Sequence, residues 1–596
     1  MRDDWGSVGT ADGGLKPLWC GIPGSAADRI GNVLLPTAFK YGGHGFTALG
    51  IADKIAHTEE TSMPKPRWIK HKQGIAAGFA ALASMLSFPV QAQPQPSVPL
   101  KVLRVVPQAD VVVTDTLFTT AWISNIHGTM IWESLFAWDS KLQPKPQMAK
   151  DWSTSPDGLT WRFTLRDGVR FHDGEAVTTA DVIPSLRRWM TIDAAGRKIA
   201  ALTTAMTPVD DTTFEWTLSR PVPSLVDTLA AAPSRFAIIV RAKDIPEPGK
   251  AMTSTIGSGP FRFNTELRVS GARVVYDRNP DYVPRAEPPD GLAGGRVVKV
   301  DRVEFLVQPD QATAAAALQA GEVDMLERPS FDLLPVLRRS REVKLQVLSE
   351  LAGQAILRPN SLHPPFNDPR ARLALSYIIN QDDQMAAGYG DAEYYQRCNS
   401  FFVCGSSNGL EAGAEEFGPN LARARQLLSE AGYKGETLHM MGTRDISYMG
   451  PMAEVTVDAL RKAGLNVDLT WSDWGSVISR STSQAPPNAG GWNIYITGQP
   501  GALAWSPSTN IFANMSCDRS NIAGWPCDEE VERLRVAHAN AALPDRPALL
   551  EQLQRRLATV NPYRLLGQAT QPVAYRANLG GVLNSPVVAY WNIRKD

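Results

Sequence analysis

Residues 405–409 read GSSNG, the G-x-S-x-G spacing in which Ser407 could act as a nucleophile. Attack by a serine hydroxyl needs a strand before it, a helix after it and a base to take its proton. The preceding SFFVC could supply the strand, but the following LEAGAEEFGP is broken by Gly and Pro. Cys404 stands beside it, so a disulfide-tied loop is the simpler account. His127, His172, His363, His439 and His538 are scattered without HExxH or another metal spacing. His172, in an Asp-Gly turn, reads as structural. No phosphate-binding loop or dinucleotide fingerprint is present. Nothing assembles nucleophile, base and oxyanion donor, so no catalytic residue, metal or cofactor is expected. A periplasmic serine hydrolase using Ser407 is the rival reading.

The remaining reactive residues are cysteines. Cys398, Cys404, Cys517 and Cys527 form two close pairs, with only Cys20 far upstream. An even count in close pairs fits disulfides in an oxidising compartment. Zinc is disfavoured, because neither pair has CxxC spacing and no His adjoins them. Tryptophan is abundant, at 16 residues, and Trp122, Trp132, Trp474, Trp505 and Trp525 stand beside polar groups. Such rings pack cores, and they also line ligand clefts, giving large contact area at little side-chain entropy cost.

The compartment is written in residues 63–93, MPKPRWIKHKQGIAAGFAALASMLSFPVQAQ. A basic head, an apolar stretch over 74–86 and a small-residue site ending at Ala92 make the three-part export signal. The apolar stretch is too short to span a membrane. Cleavage after Ala92 would leave 93–596 as the mature chain, without a Cys at the site for a lipid anchor. Residues 1–62 then read as an upstream extension outside the working protein, with Met63 as the start. The formal net charge of −1 argues against nucleic acid or anionic membrane as partner.

The 596 residues imply more than one lobe. LKVLRVV alternates as a strand. In DGLTWRFTLRDGVRFHDGE, Trp161, Phe163 and Leu165 share one face, and Asp-Gly turns at 157–158, 167–168 and 173–174 punctuate the segment. A helix capped near Thr179 follows, with Pro184 expected to kink it. DTTFEWTLSRP is another alternating strand. Further on, Asn420 caps LARARQLLSEA, which Gly432 ends. TLHMM, the helix PMAEVTVDALRKA and LNVDLTW then read as strand–helix–strand with parallel strands. WNIYIT is a further strand.

In this order the pieces resemble one family, the extracytoplasmic solute-binding proteins (family 5) of dipeptide/oligopeptide-type ABC importers. The resemblance is carried by ESLFAWDSKLQPKPQMAKDWSTSPDGLTWRFTLRDGVRFHDGEAVTTADV, GSGPFRF, VDRVEFLVQPDQATAAAALQAGEVDML, NSLHPPFNDPRARLALSYIIN and QPVAYRANLGGVLNSPVVAYWNIRK. It implies an α/β, two-lobed periplasmic binding protein (type II, cluster C-like) with a β-rich inserted subdomain in the first lobe. Lobe I is expected over 93–357 with the insert at about 138–260, lobe II over 358–555, and a segment returning to lobe I over 556–596. CNSFFVCG and GWPCDEEVERLR resemble a subgroup with two local disulfides. The implied function is capture of a peptide-like solute by hinge closure. The implied partners are permease transmembrane subunits with cytoplasmic ATPases, served by a periplasmic monomer.

One departure stands out. In many relatives of this family, an aspartate in the loop after the strand matching WNIYIT pairs with the peptide ammonium. Here that loop, 498–514, reads GQPGALAWSPSTNIFAN and holds no carboxylate. A buried ammonium left unpaired costs several kcal/mol. Asp115, Asp445 or Asp473 are the expected substitutes; otherwise the ligand is a modified peptide, an opine or an oligosaccharide. The candidate ligand-binding residues are Asp115, Thr443, Arg444, Tyr448, Trp505 and Asn510, with Thr443–Tyr448 placed at a strand end where α/β lobes bind ligands.

Overall fold

LKVLRVV forms the strand Val102–Val106, with Leu103 and Val105 fully buried. In the computed structural model this strand lies at the middle of the first of two large sheets. The structure describes residues 99–596 except Thr120, Ala232, Pro233, Ser234 and Ser520. The export signal and the segment before it lie outside the described residues. All described residues fall within one compact unit, Pro94–Asp596.

The first sheet has seven strands. Val102–Val106 pairs in parallel with Arg302–Leu306 and Met325–Leu326, and the other pairings are antiparallel. Its second strand, between Val343–Val347 and Met325–Leu326, is Pro572–Arg576, supplied by the far end of the chain. Val587, Tyr590, Trp591 and Ile593 follow it into the same core, and Arg296 lies 4.8 Å above the Trp591 ring.

A separate four-stranded antiparallel sheet is inserted in this lobe: Ala149–Thr154, Thr160–Leu165, Thr213–Leu218 and Thr203–Pro208. Trp161, Phe163 and Leu165 point inward as the alternation predicts, and Phe163 stacks on Phe214 with ring centroids 5.2 Å apart. Gly158, Gly168 and Gly174 have φ of 72°, 78° and 89°, the left-handed conformation that explains a glycine in each Asp-Gly turn. The following helix, Thr179–Ile192, is capped by Thr178, whose N–H donates to Asp181 (3.1 Å). It continues through Pro184.

The second sheet has six strands. Thr437–Gly442 is parallel to Asn466–Trp471 and Ile494–Gln499, joined to the former by the helix Met449–Lys462. This is the expected strand–helix–strand unit. Asn420 caps the helix Leu421–Glu430, its Oδ1 accepting from the Arg423 N–H (3.1 Å). Gly353–Pro359 and Arg564–Ala569 run antiparallel in the same sheet. The chain therefore crosses between lobes twice, just before Gly353 and between Ala569 and Pro572. Two disulfides, Cys398–Cys404 and Cys517–Cys527, tie loops of the second lobe.

Candidate functional site

A cavity of about 750 Å³ lies between the two lobes, with walls from both. Such clefts, mostly apolar with a few polar groups, are where small molecules are held. On the first-lobe wall stand Trp122, Trp138 and Trp189. The short helix Leu225–Ala230 completes it. Leu225, Val226, Leu229 and Ala230 are buried in the lobe, so Asp227 and Thr228 fall on its other face and reach the cavity.

The second-lobe wall is built by the loop after the strand Ile494–Gln499, which presents Trp505, Ser506, Ser508 and Thr509. His538 and Arg546 add to it from the helices Glu529–Asn540 and Arg546–Val560. Trp505 is fixed from behind: the Asn408 side-chain amide donates to its carbonyl (2.9 Å). Asn408 follows closely on the loop closed by Cys398–Cys404. The lobes touch where Trp138 meets Trp505, edge to face, with ring centroids 6.2 Å apart.

The charges in this cavity are few. Burial raises the Asp227 carboxyl above the usual carboxylate range, and the Arg546 charge acts against that rise. His538 is lowered to about 4, first by burial and then by Arg546, so it is neutral at pH 7. Arg235 also lines the cavity, and its buried Nε has no hydrogen-bond partner among the described residues.

Of the residues expected from sequence, Trp505 lies on this wall. Asn510 is close by in sequence but fully buried. Its amide donates to the Phe401 carbonyl (2.8 Å) and Tyr563 hydroxyl (3.1 Å), and its Oδ1 accepts from the Phe512 N–H (3.0 Å). Asn510 thus shapes the loop from inside. Asp115 is 1% exposed, paired with Arg188, and accepts from the Met252 N–H (2.7 Å).

Thr443, Arg444 and Tyr448 follow the strand Thr437–Gly442, as expected, but do not line this cavity. Arg444 lies 4.2 Å above the Trp471 ring and pairs with Glu454 (3.0 Å). Tyr448 stacks on Tyr389 at 5.2 Å, and burial pushes its hydroxyl up to about 12. Asp445 accepts from the Trp474 N–H (2.7 Å), and Asp473 caps the helix Trp474–Ser481. Among the expected substitutes for the missing loop carboxylate, none lines the cavity; Asp227 does.

Ser407 also reaches the cavity, exposed. Its segment contains turns, with neither a strand before it nor a helix after it, and no histidine hydrogen-bonds it among the described residues. The geometry that makes such a serine reactive is missing there.

Comparison with known proteins agrees with this architecture. The family profile described as "Bacterial extracellular solute-binding proteins, family 5 Middle" matches residues 143–522. A Sinorhizobium fredii protein described as a probable peptide ABC transporter periplasmic-binding protein is 37% identical over 532 residues, covering 88% of this chain and 98% of that one. A glutathione-binding protein of Pectobacterium atrosepticum is 27% identical over 394 residues, 65% of this chain and 71% of its own. Among solved structures, the dipeptide binding protein of Pseudoalteromonas sp. SM9913 with Met-Leu matches at TM-score 0.68 and 20% identity, covering 83% of this chain and 100% of that one. The PBP AgaA of A. tumefaciens R10 with agropinic acid matches at the same TM-score and identity, covering 83% and 99%. The structural matches establish the two-lobed periplasmic-binding-protein fold.

Proposed function

Because the chain belongs to the bacterial extracellular solute-binding proteins of family 5, we propose that it captures a peptide-like solute for an ABC importer. It works in the periplasm as a monomer, after export and cleavage following Ala92, without a lipid anchor. The loaded protein docks on permease transmembrane subunits driven by cytoplasmic ATPases. It does no covalent chemistry.

The observation that carries this reading is the cavity between the lobes, walled by tryptophans of both. Solute contacts made with both walls at once exist only in the closed state, so binding and closure are coupled. Ser506, Ser508 and Thr509 present hydroxyls that both donate and accept, which suits varied side chains and backbone amides.

A second reading concerns ligand class. The loop after Ile494–Gln499 has no carboxylate, and a fold relative was solved with the opine agropinic acid. An opine or modified peptide fits the same cavity. Thermal-shift screening of chain 93–596 against di- to pentapeptides, opines and oligosaccharides decides between them, since stabilisation follows RT ln(1 + [L]/Kd). A rise with peptides supports the first reading. A rise with opines alone moves the assignment to the second.

A further inference from the structure

The cavity contains the side chains of Asp193, Asp227, Arg235 and Arg546, with His538 neutral beside them. Two carboxylates face two guanidiniums, so the walls carry no net charge, and a ligand that is itself balanced in charge leaves no buried ion uncompensated. The two carboxylates are not equivalent. Asp193 caps a helix, accepting from the Ala195 and Gly196 N–H groups at 2.8 and 2.9 Å. Asp227 accepts no side-chain hydrogen bond and forms no ion pair within 4 Å among the described residues, though it feels the Arg546 charge.

The guanidiniums are also underused. Among the described residues, Arg546 donates only through Nε, to the Ala541 carbonyl (3.2 Å), and Arg235 has its buried Nε unpartnered. A half-buried carboxylate and two part-free guanidiniums in one cavity are costly unless something completes them. Their opposite signs sort a ligand's two ends, and the guanidinium fork suits a carboxylate.

We propose that Asp227, from the first lobe, receives the cationic amine of the ligand, while Arg546, from the second lobe, receives its carboxylate. The ligand class is then zwitterionic and derived from amino acids. This rests on the importer reading above and adds which lobe holds which end. It also answers the missing carboxylate of 498–514, because the anion is provided by the facing wall. Each lobe holds one charge of the same solute, so the solute bridges the lobes electrostatically.

The test uses chain 93–596, an equimolar mixture of di- to pentapeptides, and two modified copies of that mixture, one N-acetylated and one C-amidated. Binding is read by thermal shift and by titration calorimetry. Wild type should be stabilised by the free mixture, and much less by either modified copy. Asp227→Asn should lose at least tenfold in affinity for the free mixture while binding the N-acetylated copy as wild type does. Arg546→Gln should lose the discrimination against C-amidation, a second route to the answer if Asp227→Asn fails to fold. Asp445→Asn and Asp473→Asn should behave as wild type.

Equal binding of free mixture by Asp227→Asn and wild type overturns the assignment and leaves the importer reading intact. An equal loss for free and N-acetylated peptides also overturns it, making Asp227 a lobe-closing partner of Arg546. If wild type responds to no peptide mixture at all, the peptide reading falls together with the proposal.

Discussion

Trp138 of the first lobe and Trp505 of the second meet edge to face across the cavity, 6.2 Å between centroids and 72° between planes. Such pairs contribute about 0.5–1.5 kcal/mol beyond area burial. Trp505→Ala should therefore weaken binding of any solute that closes the lobes by about threefold to tenfold. A double-mutant cycle with Trp138→Ala, read by calorimetry, should show coupling. Strict additivity would mean the two rings do not act together in closure.

The two disulfides should separate functionally. Each closes a short loop, of sequence separation 6 and 10, and the chain-entropy model gives each about 2–3 kcal/mol. Cys398→Ser with Cys404→Ser should lower both Tm and ligand affinity, because the loop carrying Asn408 supports the Trp505 carbonyl. Cys517→Ser with Cys527→Ser should lower Tm alone. That bridge borders a different hollow, of about 570 Å³, within the second lobe. Thiol titration of the native mature chain should find no free thiol.

Stability should fall with acid partly through His172. Its Nδ1 accepts from the Gly257 N–H (3.1 Å) and its Nε2–H donates to the Gly259 carbonyl (3.2 Å), which fixes the neutral ring. Burial lowers its pKa to about 4, against 6.5 in the unfolded chain. Below pH 6.5 the unfolded state takes up a proton that the native state refuses. The contribution is fully present above that pH and is lost as pH falls toward 4, about 3 kcal/mol in all. Urea melts of His172→Asn should show a correspondingly shallower decline between pH 6.5 and 4. An unchanged slope would assign the effect elsewhere.

Asp115 should prove structural. Its removal strands the buried Arg188 guanidinium, a change that costs about 3–5 kcal/mol. Asp115→Ala should melt much earlier, while the protein that remains folded binds solute with wild-type affinity. Loss of affinity without loss of Tm would make Asp115 a ligand contact.

Local pattern carried much of the fold. Trp161, Phe163 and Leu165 alternate, Asn420 caps and Gly432 stops a helix, and each does so in the structure because the forces act over a few residues. The cavity was less legible. Trp122, Trp189, Asp227, Trp505 and Arg546 come from five distant segments and converge only through lobe packing. Trp505 was accessible through the loop that replaces a familiar acidic one. Asp227 sits in a six-residue helix, too short to show a periodicity that would set it apart. Asn510 has the same polar character as its neighbour Thr509, and only burial tells that one supports the loop while the other lines the cavity.

The placement of Pro572–Arg576 inside the first sheet governs the order in which the molecule can be finished. Its partners, Met325–Leu326 and Val343–Val347, are synthesised long before it. Until it arrives they lack the strand between them, and their unpaired edges face each other across a gap. The second sheet waits in the same way, because Arg564–Ala569 fills the place between Tyr395–Gln396 and Gly353–Pro359. Both large sheets are thus closed by one continuous stretch near the end of the chain, Arg564–Arg576, and a ribosome must release nearly the whole polypeptide before the solute-binding cleft can have two walls.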